Sequence, residues 1–217
     1  MENIFEKAKK HPSFKEISLY EFEKAFHCLR AKYVPYQKNQ MIWLAGAPIQ
    51  SIGLLLTGRV RVLKYDTNGN SIILMDMAAP NFLGEIGAFA GLTHYPVNVQ
   101  AIEECDVLFL DSSKVVSMCH NSCFFHGKMV EHMIQTLSKK AVMLDQKVEL
   151  LSKRTIREKI LFFFEIHRGD ANPFSLPFNR DEMARYLCVN RTALSNELGR
   201  MRDEGLIRYR RNQFEIL

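Results

Sequence analysis

Seven apolar residues, Val130, Ile134, Leu137, Ala141, Leu144, Val148 and Leu151, recur at alternating spacings of four and three without a break. A mean repeat of about 3.5 residues keeps such a stripe on one side of an α-helix, the pattern of a coiled-coil seam. The flanking Glu131, Lys139, Lys140, Asp145, Lys147 and Glu149 read as the solvated remainder of that helix. A helix over about 122–151 is predicted, with two copies of the chain pairing along the seam. The competing reading packs the stripe on the chain's own core.

Before the seam the hydrophobic period is two. Short β-rich runs at 40–44, 51–56, 59–65, 71–75, 97–101 and 105–110 are separated by turn residues, as in an antiparallel barrel or jelly roll. Asp66-Thr-Asn-Gly69 supplies a hairpin turn, because Asn and Gly tolerate positive φ. Residues 19–34 read as a helix preceding the barrel. The fold class is α+β: an antiparallel barrel or jelly roll over 1–120, a dimerisation helix over 121–152 and a terminal domain over 153–217.

That terminal domain carries most of the net charge. Residues 152–217 hold 13 Lys and Arg against 9 Asp and Glu, so they supply +4 of the chain's +5. Concentrated positive charge attracts a phosphate backbone. Within it Asn179 caps a helix whose third residue is Glu182, a capping box, and Met183, Ala184 and Leu187 form the buried face. After a turn at Cys188-Val189, Asn190 caps a second helix with Leu194, Leu198 and Met201 inside and Arg191, Thr192, Ser195 and Asn196 outside. Two helices joined so tightly cross steeply and project the second one into a DNA major groove. Arg suits guanine, Asn suits adenine, and Thr or Ser suits phosphate or the thymine methyl. Gly205 ends the helix, and 206–210 pairs with 213–217 around Arg211-Asn212 as a basic wing. The expected DNA-contacting set is Asn190, Arg191, Thr192, Ser195, Asn196, Arg200, Arg208, Arg210 and Arg211 on double-stranded DNA.

No run approaches the roughly 20 apolar residues of a membrane span, and the start lacks the layout of a signal peptide, so a cytoplasmic location without membrane contact is expected. Five cysteines, an odd number and widely spread, are read as reduced thiols.

Taken in order, barrel, helix and winged helix-turn-helix resemble the Crp/Fnr family of bacterial transcription regulators. Leu55-Leu-Thr-Gly-Arg-Val60, Asp66-Thr-Asn-Gly69 and Asn81-Phe-Leu-Gly-Glu-Ile-Gly-Ala-Phe89 resemble the family's sensor signatures, and Asn190-Arg191 the start of its recognition helix. The resemblance implies a non-enzymatic homodimer that binds a promoter and contacts RNA polymerase. It places an effector pocket at Gly84, Glu85, Gly87, Tyr95 and Pro96.

Departures from the family pattern bear on cofactors. Tyr95 and Pro96 stand where cyclic-AMP-binding members carry Arg-Ser. Loss of that charge-assisted contact costs roughly 2–5 kcal/mol and argues against a cyclic nucleotide bound in the usual way. The first thirty residues hold only Cys28, which argues against the family's iron-sulfur cluster. His94 is the lone candidate for haem, and Cys119, Cys123 and His126 are the one metal-like group; neither is assigned a cofactor. The alternative function is a cupin-like binding or enzymatic barrel with a protein-binding terminal domain.

Overall fold

The computed structural model describes residues 2–116 and 124–217. They form two compact units, one of residues 2–64, 75–116 and 124–141 and one of residues 65–74 and 142–217.

The first unit opens with α1 (Glu2–Ala8) and α2 (Leu19–Cys28). Ser18 and Glu21 close a capping box at α2, and Phe22, Ala25 and Leu29 bury one face. The helix expected over 19–34 therefore ends early. Arg30 takes a left-handed φ of 48°, and Pro35 biases Val34 toward extended backbone, so Lys32–Tyr36 becomes β1. The barrel adds β2 (Met41–Trp43), β3 (Ser51–Thr57), β4 (Arg59–Tyr65), β5 (Ser71–Ala78), β6 (Asn81–Leu83), α3 (Glu85–Phe89), β7 (Asn98–Ala101), β8 (Cys105–Asp111) and α4 (Ser112–Val116).

Two four-stranded sheets result, ordered β1-β8-β3-β6 and β2-β7-β4-β5, the expected antiparallel jelly roll. The hairpin between β4 and β5 turns where expected: the Asp66 carboxylate accepts from the N–H groups of Asn68 and Asn70, and Gly69 has φ 81°. Gly58, at φ 83°, links β3 to β4 where a Cβ would lie 2.1 Å from the Glu104 carbonyl oxygen, so only glycine fits the signature there.

Five consecutive residues of β3, Ile52 to Leu56, are buried because both faces of its sheet are covered. On one face Ile52, Leu54, Leu56, Leu108 and Leu110 pack with Phe5, Phe14, Phe22 and Phe82. Lys7 ties α1 to this sheet through Asp106 at 2.8 Å and the Tyr33 hydroxyl at 3.1 Å.

The long helix α5 (Phe124–Ser152) confirms the predicted helical stretch. Its inward stripe in the first unit is Met129, Met133 and Lys140. Lys140 and Lys147 were both expected on solvated flanks. Lys140 is instead 4% exposed, its ammonium donating to the Phe82 carbonyl at 2.7 Å and to Glu85 at 2.6 Å. An ammonium can enter a core when acceptors replace its water, and heptad spacing alone cannot foresee such partners.

The second unit contains α6 (Ile156–Arg168), β9 (Phe174–Ser175), α7 (Arg180–Leu187), α8 (Arg191–Asp203), β10 (Ile207–Arg210) and β11 (Gln213–Ile216). Thr155 and Glu158 cap α6, and Phe163 and Phe164 are fully buried. Phe163 meets Phe178 and Tyr186, and Phe164 meets Phe174 and Phe214. Lys147 of α5, also buried, donates to the Tyr186 carbonyl and lies 3.4 Å from that ring's centroid.

His11, 3% exposed, lies with its ring centroid 4.9 Å from that of Phe82 and 6.2 Å from that of His132. Burial, aided by His132, lowers its pKa from 6.5 to about 3. The unfolded chain therefore binds a proton near pH 6.5 that the folded chain refuses until about pH 3. Stability should fall as the pH drops through that window, by up to about 1.4 kcal/mol per pH unit from this group. Urea midpoints measured from pH 7 to pH 4 should show a shallower decline for His11→Gln. An identical decline would rule His11 out as its source.

Candidate nucleic-acid interface and barrel pocket

Helices α7 and α8 and the wing assemble the expected recognition surface. The Asn179 side-chain oxygen Oδ1 accepts from the Glu182 N–H at 2.9 Å, and the Glu182 carboxylate accepts from the Asn179 N–H at 2.8 Å. Cys188 ends α7 in the left-handed region, φ 52° and ψ 49°, which turns the chain within three residues. Asn190 then caps α8, its side-chain oxygen accepting from Thr192 N–H at 2.8 Å and Ala193 N–H at 3.2 Å. Its first role is thus to start the helix that carries the others.

Leu194, Leu198 and Met201 are fully buried, so the opposite face, with Arg191, Thr192, Ser195, Asn196 and Arg200, is presented to solvent. Arg191 pairs with Asp181 of α7 at 2.8 Å, both about two-thirds exposed. An ion pair so exposed holds weakly and can be exchanged for a base or phosphate.

Arg157 of α6, absent from the expected set, organises the charge of α8. Its Nε donates to Glu197 at 2.6 Å, and its two terminal nitrogens grip Glu204 at 2.7 and 2.8 Å. The Glu204 carboxyl is held below its usual range chiefly by that grip. Glu197 of the recognition helix and Glu204 just beyond its end are thereby partly offset within the unit, and Glu197 also lies 3.6 Å from the exposed Arg200.

The wing is the hairpin of β10 and β11, with Arg210 opposite Gln213 and Arg211-Asn212 between. Arg208 and Arg210 alternate with Ile207 and Tyr209 and stay exposed; Arg208 lies 3.7 Å from Glu215. Arg211 has φ 55°, a conformation costly for a residue with a Cβ. Arg180, another residue the sequence did not single out, stacks over Tyr209 and Phe214 at about 5 Å and donates to the Arg211 carbonyl at 3.1 Å. The third strand, β9, was also unforeseen: two residues between Pro173 and Pro177 give no periodicity.

In the barrel, the expected effector-pocket residues come together, and most are occupied. Gly84 starts α3 at φ 77°, where a Cβ would meet Tyr95 and Trp43 at about 3 Å. Glu85 is fully buried and paired with Lys140. Gly87 makes room for Ile49, whose Cδ1 would lie 2.8 Å from a Cβ there. Tyr95, 4% exposed, donates to the Ser51 carbonyl at 2.6 Å and stacks on Trp43; Pro96 is exposed. His94 is exposed and bonded to Thr93 at 2.9 Å. Cys119 and Cys123 lie outside the described residues, as does the side chain of His126.

Along the seam, Ile134, Ala141, Leu144, Val148 and Leu151 are exposed, and Val130 and Leu137 are partly so.

Asn190→Ala should destabilise the protein by about 0.5–2 kcal/mol, read as a lower urea midpoint, with Asn190→Asp close to wild type. Equal midpoints for all three proteins would deny Asn190 its capping role.

Residues 33–122 match the model of the cyclic nucleotide-binding domain, and residues 158–217 that of the Crp-like helix-turn-helix domain. The transcriptional activator protein FnrA of Stutzerimonas stutzeri is 24% identical over 195 residues, covering 84% of this chain and 75% of its own. An anaerobic regulatory protein of Pasteurella multocida is 26% identical over 188 residues, covering 80% of this chain and 64% of its own. Among solved structures, the c-di-GMP-responsive global regulator CLP of Xanthomonas campestris has a TM-score of 0.76 at 15% identity, covering 90% of this chain and 98% of that one. FixK2 of Bradyrhizobium japonicum has a TM-score of 0.62 at 17% identity, covering 86% and 92%. The terminal segment is therefore a DNA-binding module, the cupin-like enzymatic alternative is set aside, and the chain belongs to the Crp/Fnr family of transcription regulators.

Proposed function

We propose that this regulator acts as a homodimer on a near-palindromic operator. The observation that carries the reading is the inverted exposure of α5: Ile134 is 59% and Val148 67% exposed, whereas Lys140 and Lys147 are each 4% exposed. A helix that buries lysines and exposes a heptad of aliphatic residues lowers its free energy by covering that seam, and a second copy offers the matching seam. Two recognition helices related by a two-fold axis would enter successive major grooves about 34 Å apart. Val148→Asp places a charge in the seam and should convert dimer to monomer in light scattering, with loss of tight operator binding. A dimer of unchanged stability would place the interface elsewhere.

Arg191 is the base-reading residue in this proposal, with Thr192, Ser195 and Asn196 setting the rest of the half-site and Arg200, Arg208, Arg210 and Arg211 on phosphates. Arg191→Ala should relax preference at one base pair of each half-site, at a cost of roughly 1–3 kcal/mol, while Arg211→Ala should weaken all sequences about equally. Competition gel shifts at two salt concentrations separate these effects. Uniform loss for Arg191→Ala would assign it to the backbone.

The effector is not a cyclic nucleotide held in the usual manner. Tyr95 and Pro96 offer no cation for a cyclic phosphate, and the carboxylate of Glu85 is engaged by Lys140. Neither the family's amino-terminal iron-sulfur cluster nor a haem on His94 is part of this reading. RNA polymerase is the further partner that the family implies. Among the described residues no helix is long and apolar enough to cross a membrane, and the cytoplasm is the proposed location.

A further inference from the structure

At one end of the barrel, between the two sheets, lies a cleft of about 600 Å³, within the range of small-molecule sites. Its walls come from β1, β2, β3 and β8 and differ from the pocket at Gly84 and Glu85.

Strand periodicity explains the lining. Lys32, Val34 and Tyr36 of β1 share one face, and the register sets Lys32 opposite Phe109, which in turn lies opposite Gly53. The missing side chain at Gly53 admits the end of the Trp43 indole from the facing sheet, since a Cβ there would lie 3.0 Å from Trp43 Cη2. Trp43 packs one side on Tyr95, centroids 4.5 Å apart, and meets the Phe109 ring edge-on at 5.5 Å. Tyr36 meets Phe109 edge-on at 6.3 Å. Three half-exposed aromatic rings thus line the cleft, a surface for a flat apolar body.

The charge at this end is positive. Asp111 is engaged by the Ser113 hydroxyl at 2.6 Å and N–H at 3.0 Å, and by Arg30 at a long 3.5 Å. Arg30 remains 70% exposed, and Lys32 has no ion-pair partner among the described residues. Aromatic walls beside Lys32, with Arg30 only loosely paired to Asp111, fit a ligand that is flat at one end and anionic at the other.

We propose that this cleft binds a small aromatic carboxylate, its ring against Trp43 and Phe109 and its carboxylate at Lys32. The proposal gives a ligand class to the barrel and so rests on the reading of the barrel as a sensor, yet binding is measurable without DNA. Trp43 is the chain's single tryptophan and lines the cleft, so its emission reports on binding, and the Lys32 variant assigns that binding to the cleft rather than to the Tyr95 side of the same indole. Titration of the full chain with benzoate should give a saturable change in that emission. Benzamide, which lacks the charge, and cyclohexanecarboxylate, which lacks the flat ring, should each bind at least tenfold more weakly. Lys32→Met, a change at an exposed position, should weaken benzoate at least tenfold and leave benzamide unchanged. A linear, unsaturable response, or equal affinity for all three probes, overturns the site and leaves the operator gel shift intact. Loss of the gel shift with saturable benzoate binding overturns the regulator reading instead.

Discussion

The buried ammonium of Lys140 sets how the long helix α5 lies on its own sensor unit. Removing an unpaired charge from water costs several kcal/mol, so this side chain can occupy a core only where acceptors meet it. The Phe82 carbonyl and Glu85 do so, at 2.7 and 2.6 Å. Rotating α5 about its axis would leave Glu85 buried without its cation and carry Met129 and Met133 out of the aromatic core. The helix is thereby locked in one orientation, and the aliphatic seam of Ile134, Leu144 and Val148 faces outward as a result.

The same carboxylate belongs to the effector pocket that the family resemblance implies, and in this structure it is paired with an ammonium of the chain itself. The Trp43 and Tyr95 stack fills the space beside Gly84, and the other side of Trp43 borders the cleft lined by Lys32, Tyr36 and Phe109.

In the DNA-binding unit, internal pairing decides where part of the negative charge is offset. Arg157 holds Glu197 and Glu204, so two of the carboxylates near the recognition helix face a guanidinium of their own chain. Arg180 performs a mechanical task, stacking beneath the wing and bonding the carbonyl of Arg211 at its tip. Neither arginine belongs to any local motif, because the hydrogen bonds of each span 31 or more residues of sequence.

Local signals in the sequence carried the capped helices α7 and α8, the hairpin at Asp66 and the period of the seam, because capping boxes, positive-φ turns and heptads are written within a few neighbouring residues. The same locality explains what escaped it. β1 reads as the end of a helix because its strand character comes from pairing with β8, about seventy residues away, and only Pro35 hints at it. β6 and β9 are too short to show a period. The tertiary structure alone decided that two lysines of α5 are buried and its aliphatic seam exposed. Burial of a charge depends on the acceptors that packing brings to it, and those lie on other elements of the fold.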